Sequence, residues 1–322
     1  MRIQKLFRGF VFCCSALFGA AAAAQSWPVK PIRLVVSFAP GGPTDVVARL
    51  LGDKFAATWG QPVVVDNRIG AGGTIGSALI SKSAPDGYTL NLAASSHVYN
   101  GALFANLSYD PIKDFTPIAR VSYYPLLLIA HPSLPAGSIA ELVAYAKANP
   151  GKLAFGSSGG GTGSHLAAEL FNRAAGIDTL IVHYKSAGAA TNDLLGGRLQ
   201  AMFDNPVSAL PHVNSNKVRA IATTGLNPSP MLKLPTVAGS GYMNFESGVW
   251  FAFIGPAGLP AAIVNKVASE TAAALEMPDV RKSLSNLGLE PSFNTPEQLA
   301  AGMRADLEKY AKLIREAGIK MN

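Results

Sequence analysis

The sequence predicts an α/β protein of two lobes, each a mostly parallel sheet flanked by helices, with a ligand cleft between them. Short runs rich in β-branched residues recur along the 322-residue chain, and helical segments separate them. Such alternation is typical of βαβ units, and chains of this length usually divide into two compact units. The predicted strands are "IRLVVS", "PVVVD", "YTLNLAA", "PLLLIA", "KLAFGS", "TLIVHY", "LQAMF", "VRAIATT" and "VWFAFIG".

Two loop regions are the expected crossings between the lobes. Proline and glycine are frequent near residues 123–125 and between residues 224 and 249, where no long linker interrupts the chain. Residues 25–124 and 249–322 would then combine into the first lobe. Residues 125–248 would form the second.

Several helix ends are marked by capping residues. Ser138 followed by Glu141 predicts a capping box, and the stretch Thr295–Gln298 adds a proline at the first helical position to the same pattern. Gly60 and the pair Pro150–Gly151 are typical helix stops. These signals place helices between the predicted strands, as the βαβ pattern requires.

The first 24 residues are predicted to be a signal peptide. Three cations precede an uncharged apolar block that ends in small residues, so we expect cleavage near Ala24 and export of the mature chain. A membrane anchor is the alternative, but the block is short for a span of about 20 residues. Both cysteines, Cys13 and Cys14, lie in this segment, so the mature chain has no disulfide or thiol chemistry.

The charge of the mature chain argues against nucleic acid as a partner. Cleavage would remove three of the 27 Lys and Arg residues, which leaves 24 against 20 Asp and Glu. The excess is small, and no basic tract with interleaved aromatic residues accompanies it. A weakly positive surface suits small anions instead.

The stretch "FAPGGPTD" predicts an anion-binding corner. It follows the first strand and precedes a helix, and the paired glycines Gly41 and Gly42 let the backbone approach a ligand closely. Thr44 or Asp45 is expected to cap the helix, whose free N–H groups and dipole favour a negative charge. An ordinary βα turn is the alternative interpretation of this loop alone.

A second corner of the same kind occurs in the other predicted lobe. "GSSGGGTGSH", Gly156–His165, follows a strand and opens an apolar-periodic helix, and it carries four hydroxyl side chains among its glycines. A flexible linker would not be flanked so closely by a strand and a helix. Two such corners, one from each lobe, could hold a carboxylate between them. His165 either contacts the ligand or holds the loop.

Four further stretches are candidates for the same cleft. The segment Gly70–Gly76 opens a helix after the second strand, and Ala93–His97 follows the third. Tyr184 and Lys185 follow another strand, although an exposed lysine is more often a surface residue. Asp204 ends a strand and either faces the ligand or serves the cap of the next helix.

Some motifs of the sequence partly match those of enzymes. Gly156–Gly160 matches the G-x-S-x-G nucleophile elbow of α/β-hydrolases, with Ser158 as nucleophile and His212 downstream, so a secreted serine hydrolase is the rival hypothesis. Extra glycines and a second serine weaken it. The glycines of Gly70–Gly76 do not follow the dinucleotide fingerprint, and no phosphate loop occurs. Because the five histidines are dispersed without metal-ligand spacing, no metal or cofactor is expected.

Several motifs together resemble the tripartite tricarboxylate transporter receptors, also called Bug proteins. They are "PIRLVVSFAPGGPTDVVARLL", "VVVDNRIGAGGTIG", "APDGYTL", "GSSGGGTGSHLAAELF" and "HYKSAGAATNDLLGG", in order along essentially the whole mature chain. The resemblance implies a type II periplasmic binding protein fold without catalytic activity. It further implies a periplasmic location, a small organic acid as ligand and the membrane permease subunits of a tripartite transporter as partners. We expect a monomer.

The resemblance also implies roles for particular loops. In the family the two glycine-rich βα loops grip a ligand carboxylate, which here corresponds to Ala39–Thr44 and Ser157–Ser164. Asp204 matches a position that faces the far end of the ligand in amino-acid-binding members. The bare glycines Gly159–Gly161 would leave room for an aromatic carboxylate. The predicted ligand-binding residues are Phe38, Ala39, Pro40, Gly41, Gly42, Thr44, Gly72, Ser95, Ser157, Ser158, Gly160, Gly161, Thr162, Ser164, His165, Tyr184 and Asp204.

Overall fold

The computed structural model describes residues 27–104, 106–228 and 233–319. The predicted signal peptide lies outside these residues. Among the residues described, no helix combines the length and the apolar character that crossing a bilayer demands. The strands are β1 Ile32–Val36, β2 Val63–Asn67, β3 Thr89–Ala94, β4 Phe115–Pro125, β5 Leu127–Ala130, β6 Ala154–Ser157, β7 Leu180–His183, β8 Ala201–Asp204, β9 Arg219–Thr223, β10 Gly248–Pro256 and β11 Glu290–Asn294.

Helices cover both sheets. A short 3₁₀ turn at Ala71–Gly73 directly precedes the helix that begins at Thr74. The α-helices are α1 Pro43–Trp59, α2 Thr74–Ser81, α3 Ser96–Leu103, α4 Ile139–Ala148, α5 Gly163–Ala175, α6 Ala187–Leu195, α7 Pro206–Asn214, α8 Ala261–Glu276, α9 Pro278–Asn286 and α10 Pro296–Ala317.

The strands form two sheets, one in each lobe. The first has the order β11-β4-β10-β3-β1-β2 and the second the order β7-β6-β8-β5-β9. Central strands such as β5 and β8 are buried along their whole length, whereas the edge strands β2 and β7 are partly exposed. The predicted two-lobed α/β fold is therefore confirmed.

The expectation of mostly parallel pairing was wrong. Of the nine pairings between described strands, four are parallel, namely β1 with β2 and β3, and β6 with β7 and β8. The other five are antiparallel and involve β4, β5 or β10. The cause is the crossing between the sheets, because a strand that arrives from the other lobe enters its sheet in the opposite direction.

All nine predicted strands are present, and two were missed. β4 contains Pro117 and Arg120, and β11 contains Pro291; proline and charge within a run argue against a strand. The expected crossing at residues 123–125 is the end of β4, and the chain passes from the first sheet to the second at Leu126. The lobe boundaries stay a prediction.

Two of the predicted caps form as expected, and one differs. Thr295 and Gln298 make both bonds of a capping box. Gly60 ends α1 in the left-handed conformation. Ser138 accepts from the Glu141 N–H, but the Glu141 carboxylate turns to the N–H of Gly137, one residue before the cap.

The register of the parallel strands places the site. Val36 at the end of β1 pairs with Asn67 of β2 and Leu92 of β3. In the second sheet Ser157 at the end of β6 pairs with His183 at the end of β7. Because the carboxyl ends of parallel strands meet at one edge of a sheet, the loops that follow them are brought together there.

Candidate functional site

A cavity of about 810 Å³ lies between the two sheets. Its walls are the loops that follow β1, β2, β3, β6, β7 and β8, three from each sheet. Thirteen of the predicted site residues lie on its wall. They are Phe38, Ala39, Pro40, Gly41, Gly42, Thr44, Gly72, Ser158, Gly160, Thr162, Ser164, Tyr184 and Asp204.

In the first corner, the loop after β1, the residue that caps α1 differs from the predicted one. The residue before α1 is Gly42, so neither Thr44 nor Asp45 caps the helix. Asp45 instead accepts the Gly41 N–H at 2.9 Å and pairs with Arg49. Gly41 has φ +75°, a conformation that glycine adopts without strain. The Gly41 N–H is therefore already used by the protein.

Two amide groups of this corner remain available. The N–H groups of Thr44 and Asp45 have no hydrogen-bond partner among the described residues. Pro43 occupies the first position of the helix, where its lack of an N–H costs nothing. Burial alone would raise the pKa of Asp45, but hydrogen bonds from Arg49, Gly41 and Asn67 outweigh it and hold the pKa below its usual value. Asp45 thus fixes the loop as an ionised group.

The second corner is held by its own hydroxyl groups. Thr162 caps α5 by accepting the His165 N–H. The Ser158 N–H donates to the Ser164 Oγ at 2.8 Å, and the Ser158 Oγ lies 2.9 Å from the same oxygen. The N–H groups of Gly163 and Ser164, at the start of α5, have no partner among the described residues. Each sheet thus contributes one helix start with two unused amides.

Two buried hydroxyl groups on the cavity wall have no hydrogen-bond partner within the part of the chain that the structure describes. They belong to Ser37 and Tyr99, whose residues are 3% and 1% exposed. Burial raises the pKa of Tyr99 well above its usual value, against a lowering effect of the nearby Ser95 hydroxyl. Tyr99 therefore stays a neutral donor. No sequence pattern pointed to Tyr99 as a site residue, because an aromatic residue in an apolar helix usually belongs to the core.

The loop after β7 supplies different chemistry. The Tyr184 hydroxyl donates to Asp193 at 2.6 Å, and Arg198 pairs with the same carboxylate. Burial first, and then Asp193, raise the pKa of Tyr184 to about 12. His183 and Lys185 also line the cavity, and the Lys185 side chain forms no ion pair with another described residue.

Asp204 is the carboxylate on the cavity wall. It is 1% exposed and accepts from the N–H and the side-chain amide of Asn205, at 2.8 and 2.9 Å. Burial raises its pKa to about 6, against the lowering effect of these and neighbouring hydrogen bonds. Asn205 is the residue that caps α7, by accepting the Ser208 N–H. The helix cap is thus Asn205, and Asp204 supports it.

Four predicted site residues lie behind the cavity wall. Ser95 and Ser157 are 2% and 0% exposed, and Ser157 bonds with His183 Nδ1 at 2.7 Å. His165 Nδ1 accepts the Gly161 N–H and its Nε2 lies 3.4 Å from Glu169. His165 therefore holds the loop, the second of the two roles considered for it. Successive side chains near the end of a strand point alternately toward the cavity and away from it. A glycine-rich sequence does not show which residues point toward the cavity.

The loop after β2 reaches across the cleft to the second sheet. The turn at residues 70–73 lies against the second corner, and the Asn100 side chain donates to the Gly72 carbonyl at 3.0 Å. Asn100 is fully buried. The cavity is thus closed on this side by direct contact between loops of different lobes.

The contacts of Ser158 do not fit a hydrolase nucleophile. Its Oγ lies within hydrogen-bond distance of Thr162 and Ser164, and no histidine of the described residues hydrogen-bonds to it. Ser157 does bond to His183, but it is fully buried and out of reach of a substrate. No cluster of three or more potential metal ligands occurs within residues 27–104, 106–228 and 233–319.

Comparison with known proteins agrees with this architecture. The profile of the family described as "Tripartite tricarboxylate transporter family receptor" matches residues 47–319. Protein BugT of Bordetella pertussis is 36% identical over 314 residues, which cover 97% of this chain and 96% of BugT.

Solved structures show the same likeness. The periplasmic binding protein BugD matches with a TM-score of 0.87 and 36% identity, over 92% of this chain and all of BugD. A protein of R. palustris, solved with adipate, matches with a TM-score of 0.87 and 33% identity, over 91% of this chain and 99% of that one. The chain therefore belongs to the tripartite tricarboxylate transporter receptor family, and it is a solute-binding receptor of the Bug type.

Proposed function

We propose that this receptor captures a small organic carboxylate or dicarboxylate, aromatic acids included, in the periplasm and delivers it to the permease subunits of a tripartite transporter. One observation carries the proposal. Two helix starts, α1 from the first sheet and α5 from the second, open on one cavity with unused amide groups. Such groups, together with the positive ends of two helix dipoles, favour an anion.

The buried hydroxyls support the same ligand. An unpartnered polar group in a protein interior costs about 1–3 kcal/mol, so Ser37 and Tyr99 gain from a ligand that accepts their hydrogen bonds. A carboxylate has two oxygens and about four acceptor positions. The R. palustris relative was solved with adipate, a dicarboxylate, which supports a carboxylate ligand here.

Capture would couple to closure of the two lobes. A ligand that contacts loops of both sheets binds more tightly when the loops approach each other, and this difference in affinity favours the closed state. The chain passes between the sheets at Leu126 and again between β9 and β10, so these segments are the expected hinges.

The test is a thermal-shift screen of organic acids against the mature protein. A ligand present at 100 times its dissociation constant stabilises the fold by about 2.7 kcal/mol, a shift that is readily measured. We expect one or more carboxylates to raise the melting temperature, while amides and alcohols of the same carbon skeletons do not. A screen in which no carboxylate stabilises the protein would contradict the proposal.

The hydrolase hypothesis has its own experiment. We expect neither the wild type nor Ser158→Ala to hydrolyse esters. The variant should retain most of the ligand binding of the wild type. Turnover by the wild type that is lost in the variant would establish an enzyme instead.

A further inference from the structure

We propose that Lys185 is a specificity-determining residue, which pairs with a second carboxylate of the ligand and so selects dicarboxylates over monocarboxylates of the same chain length. This inference rests on the proposed function, because it assumes that a first carboxylate occupies the two helix starts. The inference adds a residue that binds the other end of the ligand.

Lys185 is the one lysine or arginine among the described residues that line the cavity. Its side chain is exposed, and none of the ten ion pairs formed by the described residues includes it. A permanent charge without a partner on the wall of a binding cavity is available to a ligand.

Two carboxylates on neighbouring elements are engaged with other groups. Asp193 accepts hydrogen bonds from Tyr184 and Arg198. Asp204 accepts from Asn205 and from the Thr191 hydroxyl, at 3.3 Å for the latter. Neither of these carboxylates forms an ion pair with Lys185.

His183, the other basic group on this wall, does not compete for the role. Burial lowers its pKa, and His165 lowers it further, so the ring is uncharged at neutral pH. Its Nδ1 is bonded to Ser157. The charge at this end of the cavity thus comes from Lys185.

The position of Lys185 suits a ligand held at α5. The Tyr184 N–H donates to the Ser157 carbonyl at 3.1 Å, which fixes the loop after β7 beside the loop after β6. Neighbouring strands are about 4.8 Å apart. The carbon chain of a short dicarboxylate spans such a separation. The N–H groups of Ala187 and Gly188, at the start of α6, also have no partner among the described residues and lie on the same wall.

The experiment is isothermal titration calorimetry with pairs of acids that differ only in the second carboxylate: adipate with hexanoate, and succinate with butyrate. The proteins are wild type, Lys185→Met, Lys185→Arg and the control Lys147→Met. Lys147 is an exposed lysine on α4 and lies outside the cavity. Methionine keeps much of the length of lysine without its charge.

Because the lysine is exposed, we expect a moderate effect. Lys185→Met should weaken dicarboxylate binding by roughly 10-fold at low salt and change monocarboxylate binding less than about 2-fold. Lys185→Arg should retain dicarboxylate binding, and Lys147→Met should change neither. Equal weakening of both acids of a pair, or no weakening of either, would overturn the role of Lys185 while leaving the carboxylate site intact. A wild type that binds neither acid of either pair would overturn the selection of these dicarboxylates by Lys185, whereas the proposed function itself fails only if no carboxylate stabilises the protein in the thermal-shift screen.

Discussion

A side-chain carbon on Gly72 would lie 2.7 Å from the carbonyl oxygen of Gly160, across the cleft between the lobes. It would also lie 2.8 Å from the Gly161 carbonyl oxygen. Real side-chain carbons do not approach backbone so closely, so this contact requires glycine. The two loops approach this closely because position 72 has no side chain, and we expect the contact to belong to the closed arrangement of the lobes.

Gly72→Ala should therefore weaken ligand binding by opposing closure. Gly72 has φ +63°, so alanine there adds backbone strain of about 1–2 kcal/mol as well as the clash. Gly60→Ala is the matched control, because Gly60 has φ +66° and open space around the added carbon. Because separation of the lobes relieves the clash at Gly72, both variants should lose similar stability in urea unfolding. We expect only Gly72→Ala to lose affinity, by about 10-fold or more; equal affinities in the two variants would show that closure does not depend on this contact.

Thr44→Pro tests the amide groups of the first corner. Proline at the second position of α1 removes an N–H that has no partner among the described residues, and proline is tolerated in the first turn of a helix. A lost hydrogen bond to a charged ligand costs about 1.5–3 kcal/mol, or roughly 10- to 100-fold in affinity.

The control is Glu297→Pro, the same position of α10, which also begins with proline. It should change ligand affinity less than about 2-fold by calorimetry. If Thr44→Pro binds the ligand as tightly as the control, the α1 amides do not contact it.

Tyr99→Phe should reduce affinity without reducing stability. The hydroxyl that it removes is buried and has no hydrogen-bond partner among the residues described, so the free energy of unfolding should stay equal or rise by about 1 kcal/mol. Tyr109→Phe removes a second buried and unpartnered hydroxyl that lies away from the cavity. Calorimetry should show weaker binding for Tyr99→Phe alone. Unchanged binding there would mean that the hydroxyl does not face the ligand.

Asp204 gives a stability change with pH. Because its pKa is raised to about 6, the folded protein binds more protons than the unfolded chain between pH 4 and 6. This carboxyl therefore stabilises the fold least when ionised, and its contribution falls by about 3 kcal/mol as pH rises through that window.

The check compares wild type with Asp204→Asn in urea unfolding at pH 4, 5, 6 and 7. The difference in unfolding free energy should shift in favour of the variant as pH rises, whatever constant offset the altered hydrogen bonds produce. A difference that is independent of pH would contradict the raised pKa.

Much of the site could be predicted from the sequence because backbone chemistry builds it. Glycine and proline between a strand and a helix mark the corners at Gly41 and Gly160, and the family motifs place both in one cleft. The nine predicted strands follow from local patterns in the same way.

The missed features depend on contacts between distant residues. Gly42 rather than Thr44 caps α1 because Asp45 is drawn to Arg49 and Asn67, a residue of another strand. Tyr99 faces the cavity only because α3 packs beside the loop at Gly72. β4 was missed because its proline and arginine mask a strand that β10 and β11 hold from both sides.

The most direct test of the carboxylate site is a crystal structure of the protein with the acid that stabilises it most. The account predicts a carboxylate whose oxygens lie about 3 Å from amide nitrogens of both Thr44 in α1 and Ser164 in α5. A carboxylate bound to one lobe alone, or a ligand outside the cavity between the sheets, would contradict it.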